Sequence, residues 1–287
     1  MDLKELDEKA KEIRRKILDV GVKCGQAHLG GALSSVELLL ALYNGGVLKK
    51  EDHFVFSKGH CPLAFYTILA DNDVISEETL NQYGSLVMPG HSDWSTPGVE
   101  MTAGSLGYGL GFGCGIALAA KLDKKDYKTY VLLGDTECTE GSIWEAVMFA
   151  SSNELNNLIV IVDDNKFGVL GHTNKYASKS PMFYKWLGFN WNIYEIDGHN
   201  LGEIISCFKE IKETKTNKPA VIISHTIKGK GISFMEGVAK WHHGIPKGAE
   251  LKQAIEELKE KKYFIGIDFA KGEELKEKIK IPIEVMA

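Results

Sequence analysis

Residues 131–141 read VLLGDTECTEG, an apolar run that stops at a glycine and is followed by Asp135, Glu137 and Glu140. About thirty residues on, a second apolar run, LIVIV, ends in Asp163, Asp164 and Asn165. If the two runs are neighbouring parallel strands joined by a helix, Asp135 and Asn165 reach one edge of the sheet. A carboxylate and an amide oxygen there suit a hard cation, Mg²⁺ or Ca²⁺, and Mg²⁺ completes its shell with water and phosphate oxygens. The same residues also suit plainer roles, with Asp135 capping the next helix and Asn165 making a turn in DDNKFG. Spacing alone admits both.

Histidines add to the case for a site. His28 lies in GQAHLGG, His60 in SKGHC, His91 in MPGHSD and His243 in WHHGIP. Each adjoins a glycine or lies within two residues of one, which predicts turns rather than helix faces. Four imidazoles in glycine-containing loops imply a polar pocket where general acid–base chemistry is possible.

Other chemistries are excluded by pattern. The glycine-dense AGSLGYGLGFGCG at 103–115 fails a G-x-G-x-x-G test in every register, and no G-x-x-x-x-G-K-[ST] occurs. Its glycines at 107, 111 and 115 instead predict a helix with one smooth face for close packing. Five scattered cysteines form no C-x-x-C pair, so free and mostly buried thiols are expected. A net charge of -5 with no basic stripe gives no reason to expect nucleic acid.

The elements that must position these residues follow from periodicity. The start, MDLKELDEKAKEIRRKILDV, reads as an amphipathic helix over about residues 1–20, with Leu3, Leu6, Ala10, Ile13 and Ile17 on one face. Its alternating charges are unlike a signal peptide, and no apolar run approaches the ~18 residues of a membrane span, so a cytoplasmic chain is expected. Strands are predicted at 130–133, 158–162, 192–196 and 220–224, and helices at 140–153, 181–187 and 201–214. Continuous apolar strands separated by helices predict an α/β fold, a mostly parallel sheet covered on both faces. Ligands of such sheets bind at the carboxyl ends of the strands, where Asp135 and Asp163–Asn165 fall. One domain over 1–287 is expected, ending in a Lys- and Glu-rich helical extension from about 247.

The stretch GDTECTEGSIWEAVMFASSNELNNLIVIVDDNKFG resembles the thiamine diphosphate motif, which runs from GDG to an asparagine about thirty residues later. The order AHLGG, SKGHC, PGHSD, TAGSLGYG and HHGIP is similar to the landmarks of transketolases and covers roughly residues 10–250. A full transketolase is more than twice this length. The resemblance therefore implies the N-terminal, diphosphate-binding subunit of a split enzyme, whose partner subunit carries the pyrimidine-binding and C-terminal domains.

Carried over position by position, the resemblance implies that Asp135, Asn165 and the Phe167 carbonyl bind Mg²⁺ or Ca²⁺. Backbone N–H groups of Gly134 and Thr136 would lie near the diphosphate of thiamine diphosphate. Gly104 and Leu106 would hold the middle and pyrimidine regions of the cofactor. His60 and His243 would contact diphosphate and reacting centre, while His28 and His91 would line the channel for sugar or sugar-phosphate substrates. His242 is the neighbouring alternative to His243, and the following Gly-x-Pro favours His243. Glu140 and Glu145 resemble a pair at the interface between active sites. Residue by residue, Glu140 equally suits a helix N-terminus and Glu145 an exposed helix face.

Thr136 departs from the pattern, because the family has glycine there. A side chain would restrict backbone approach or demand a different φ, or else would offer a hydroxyl to the phosphate. Ser105 in place of proline, and Gln26-Ala27 before His28, are milder departures. The implied reaction moves a two-carbon ketol unit from a ketose to an aldose, within a two-plus-two heterotetramer. The pyrimidine-binding domain supplies the glutamate that activates the cofactor, so this chain alone is expected to be inactive. The alternatives are a deoxyxylulose-phosphate synthase-like or dihydroxyacetone synthase-like enzyme, or a non-catalytic regulatory subunit.

Overall fold

The computed structural model describes residues 1–177 and 180–260. Helix α1 (Leu3–Cys24) starts in a capping box, with the Asp2 carboxylate accepting from the Glu5 N–H and the Glu5 carboxylate accepting from the Asp2 N–H. It stops at Gly25, whose φ of 76° is the left-handed geometry of a C-terminal cap. Leu6, Ala10, Ile13 and Ile17 are buried as the periodicity requires, whereas Leu3 is exposed in the first turn.

Next come α2 (Leu29–Ser34), α3 (Val36–Tyr43), β1 (His53–Phe56), α4 (Leu63–Asp71) and α5 (Glu77–Leu80). Helix α6 (Tyr108–Leu122) leads into β2 (Thr129–Gly134), α7 (Gly141–Ser152) and β3 (Leu158–Asp164). A two-residue hairpin pairs β4 (Phe167–Gly168) with β5 (Gly171–His172). The chain then forms α8 (Met182–Leu187), β6 (Asn192–Asp197), α9 (Leu201–Glu213), β7 (Ala220–His225) and α10 (Gly248–Glu260). The rest of the expected C-terminal extension lies outside the described residues.

The main sheet runs in the order β1-β2-β3-β7-β6 with every pair parallel. Side chains alternate across it, so each apolar strand feeds two cores at once. Tyr130, Leu132, Ile159, Ile161 and Ile222 join α1–α4, α9 and α10 on one face. Val131, Leu133, Val160, Val162 and Ile223 join α6, α7 and α8 on the other. This two-sided burial is why the strands read as unbroken apolar runs.

The glycine segment differs from expectation in which face it packs. Gly107 is the N-cap of α6, with φ 89°, rather than part of its face. The close approaches are at Gly109 and Gly113, where a Cβ would overlap Ser57 and Val131 respectively. Gly111 and Gly115 point away from this chain, with nothing within 4 Å of a Cβ there. All five cysteines are free and four of them are buried, and no described helix is long and apolar enough to cross a membrane.

Candidate active site

Segments leaving the carboxyl ends of four neighbouring strands build the site. After β1 come Ser57, Lys58 and His60; after β2, Asp135 and Glu137; at and after β3, Asp163, Asn165 and Phe167; after β7, Thr226 and Lys228. Gly134 and Asp163 are paired in the β2–β3 ladder, so Asp135 and Asn165 leave adjacent strand ends.

Asp135 is buried, and burial, with Asp164 and Asp163 nearby, pushes its carboxyl up to about 7. Its Oδ1 accepts from the Thr136 N–H at 2.7 Å, while Oδ2 is buried with no hydrogen-bond partner. It does not cap α7, because a 3₁₀ turn at Glu137–Thr139 intervenes before that helix. Asn165 does make the expected turn, its Oδ1 accepting from the Phe167 N–H at 3.1 Å. Its Nδ2 lies 3.3 Å from both Ser34 Oγ and Asp163 Oδ2, which points Oδ1 the other way. The Phe167 carbonyl accepts from the Lys228 ammonium at 3.2 Å.

These groups fit a hard cation. An orphaned buried carboxylate oxygen carries the cost of desolvation without compensation, which a cation would supply. The Lys228 ammonium already brings positive charge to one of the three donors. Among the described residues no three His, Cys, Asp or Glu side chains could hold a metal by themselves. A set of carboxylate, amide and carbonyl oxygens suits a cation that brings phosphate oxygens of its own.

The backbone donors are arranged differently from expectation. The Gly134 N–H donates to Glu137 Oε2 at 3.2 Å, and the Thr136 N–H is taken by Asp135. Glu137 also accepts from the Gly107 N–H at 3.0 Å and from the Ser57 hydroxyl. Both N–H groups assigned to the diphosphate are thus satisfied within the chain. Burial pushes the Glu137 carboxyl up to about 7.

The four expected histidines come together with a fifth. The His28 ring centroid lies 5.4 Å from His60, 5.8 Å from His91, 5.4 Å from His242 and 4.6 Å from His243. His60 and His242 stack at 5.1 Å with an interplanar angle of 6°. Backbone pairing helps to assemble them, for the Gly244 N–H donates to the Ala27 carbonyl at 2.9 Å. Burial, then His243 and His242, lowers His28 to about 3. Burial, then Lys228, lowers His242 to about 4, and burial with Lys58 holds His60 well below its ordinary value. Neutral rings at working pH can both donate and accept protons. Lys228 lies 3.2 Å from His242 Nδ1 and so joins this cluster to the Phe167 carbonyl. By contact with Lys228 and His60, His242 is as much part of the site as His243.

Gly104 is exposed, with a Cβ there 3.5 Å from His91, and Leu106 is half-buried. Glu140 and Glu145 belong to the start of α7. Glu140 is the N-cap residue of α7 without a side-chain cap bond, and Glu145 is exposed on the same helix. Sequence reasoning passed over Lys58 and Lys228. Lys58 pairs with Asp163 inside the protein and also donates to Ser35 Oγ and the Gly31 carbonyl. The available signal was a lysine placed among glycines and serines at a strand end, in SKGH and KGKG.

Residues 7–284 match the family described as transketolase, thiamine diphosphate binding domain, and the chain belongs to that family. It is 41% identical over 272 residues to one of the separate subunits of an apulose-4-phosphate transketolase from Phocaeicola vulgatus, covering 91% of this chain and 96% of that one. It is 39% identical to a 6-deoxy-6-sulfo-D-fructose transketolase subunit of a Clostridium species, covering 88% and 96%. Among solved structures, the transketolase of Campylobacter jejuni superposes with a TM-score of 0.81 at 30% identity, covering 90% of this chain and 43% of its own. The chain thus spans about two fifths of the solved transketolase it matches, and nearly all of the separate subunits.

Proposed function

We propose that this chain is the diphosphate-binding subunit of a two-chain transketolase, which moves a two-carbon ketol unit from a ketose or ketose phosphate to an aldose. The observation that carries the reading is the orphaned Asp135 Oδ2 at a strand end adjacent to that of Asn165, with the histidine cluster joined to the Phe167 carbonyl through Lys228. Relatives of matching length, each named as one subunit of a transketolase, support it.

In this reading Asp135, Asn165 and the Phe167 carbonyl would hold Mg²⁺, and Lys228 and His60 would be available to bind the diphosphate. Thiamine diphosphate, when bound, supplies the carbanion stabilisation that allows cleavage of a ketose carbon–carbon bond. The chain's own residues position and move protons. His28, His91, His242 and His243, held close together, are the groups that take up and return hydroxyl protons of the sugar. Glu140 and Glu145, exposed at α7, face a second chain. The partner brings the pyrimidine-binding domain, the assembly is a two-plus-two heterotetramer in the cytoplasm, and this chain alone does not turn over.

The test is a native mass spectrum of the tagged chain purified from its host. A co-purifying polypeptide with thiamine diphosphate and Mg²⁺ on the complex is the expected result. A lone homo-oligomer that takes up neither, even when both are added, refutes the reading.

A further inference from the structure

Thr136 occupies a position where the sequence pattern leads one to expect glycine, and its surroundings are fitted to it. Its φ of -65° and ψ of -36° are ordinary right-handed values, so the backbone there does not require glycine. Its Oγ1 lies 3.4 Å from Asp135 Oδ1 and 3.4 Å from the Tyr176 hydroxyl. Gly168, in the β4–β5 hairpin, makes room for this pair: a Cβ there would overlap the Tyr176 hydroxyl and come within 2.8 Å of Thr136 Oγ1. The turn after the hairpin holds Tyr176 in place, its N–H donating to the Thr173 carbonyl at 3.2 Å while the Thr173 N–H donates to the Lys166 carbonyl at 2.8 Å.

The two hydroxyls join two segments of the metal set. Thr136 continues the strand end that carries Asp135, and Tyr176 belongs to the segment that carries the Phe167 carbonyl. We propose that Thr136 and Tyr176 form a coupled pair of positioning residues, which fixes the Asp135 carboxylate relative to the Phe167 carbonyl and so tightens binding of the metal–diphosphate group. The inference rests on the function proposed above. Neither residue is assigned contact with a reacting atom. Glycine at 136 would leave the Tyr176 hydroxyl without this partner, and phenylalanine at 176 would do the same to Thr136.

The test uses the full-length chain with its partner chain, titrated with Mg²⁺ at fixed thiamine diphosphate and followed by calorimetry. Thr136→Val and Tyr176→Phe are each expected to weaken apparent Mg²⁺ affinity about fivefold, the effect of losing one net hydrogen bond. Thr136→Ser, which keeps the hydroxyl, is expected to bind like the unmutated complex. The double variant is expected to bind no worse than either single one. The Thr136–Tyr176 contact is long and exposed, so melting temperatures without Mg²⁺ and cofactor should fall by no more than about 3 °C in any variant, which separates positioning from general stability. Additive losses, equal losses for Thr136→Ser and Thr136→Val, or unchanged affinity in both single variants would each overturn the pair while leaving the transketolase reading intact. Absence of Mg²⁺ and cofactor binding in the unmutated complex would overturn that reading, and the pair with it.

Discussion

The Lys58 ammonium and the Asp163 carboxylate form an ion pair with both side chains almost wholly buried, although β1 and β3 are separated by β2 in the sheet. The pair therefore reaches across the end of the strand that carries Asp135. Burial works against both charges, yet each holds the other ionised, Lys58 above and Asp163 below its ordinary value. Ser34 and Thr226 add hydroxyl donors to the same carboxylate.

Lys58→Met removes one partner and leaves a buried carboxylate uncompensated, at an expected cost of about 3–5 kcal/mol. Urea denaturation of the single variants and of Lys58→Met/Asp163→Leu measures it. The double variant should be less destabilised than the sum of the two singles. Simple additivity would mean that the two charges are not coupled.

Asp135→Asn should separate stability from binding. With a folded-state value of about 7 against an ordinary 3.8, Asp135 holds its proton more tightly folded than unfolded. Its ionisation thus destabilises the fold as pH rises from about 4 to about 7, by about 4 kcal/mol at most. Without Mg²⁺ and cofactor, the variant should be the more stable protein at pH 8, and the gap should close on acidification. Added Mg²⁺ and thiamine diphosphate should raise the melting temperature of the unmutated complex only. Equal stabilisation of both would remove Asp135 from the metal set.

The histidine cluster predicts a different acid response. His28 and His242 have folded values of about 3 and about 4, below the ordinary 6.5. Their contribution to stability is full above 6.5 and is lost as pH falls through those lower values. Histidine NMR titration should find both rings neutral at about pH 5, where an unperturbed histidine is mostly charged. Titration of either near 6.5 would contradict the burial described here.

Glycine substitutions along α6 should split by face. Gly113→Ala drives a methyl into Val131 and should destabilise by about 1–3 kcal/mol. Gly111→Ala meets nothing in this chain and should stabilise it by about 1 kcal/mol through helix propensity. Thermal melts of the isolated chain provide the comparison. A Gly111→Ala chain that melts normally yet fails to assemble would place that face against a partner.

The sheet was legible in the sequence wherever burial on both faces made long apolar runs. Strands 130–133, 158–162, 192–196 and 220–224 match β2, β3, β6 and β7 to within two residues at each end. Strand β1 was not legible, since HFVF is four residues long and is read only through its pairing with β2. Helix α4, LAFYTILAD, is buried along nearly its whole length and so shows no amphipathic period. Of the glycine repeat at 107, 111 and 115, Gly107 is the N-cap of α6, and spacing alone did not show that Gly109 and Gly113 carry the close packing within this chain. Within the site, glycine-flanked histidines and acidic strand ends were readable. Lys58 and Lys228 were not, because lysines ordinarily stand in water and only the fold reveals the carboxylate and carbonyl that hold them inside.

Helices α6 and α7 pack together and leave Tyr108, Phe112, Met148 and Phe149 exposed. Such side chains on a water-facing surface attract chaperones and proteases when nothing covers them. A cell making more of this chain than can be covered should therefore hold the excess only briefly. If a partner subunit covers these helices, the chain's abundance would follow that partner's supply more closely than its own rate of synthesis.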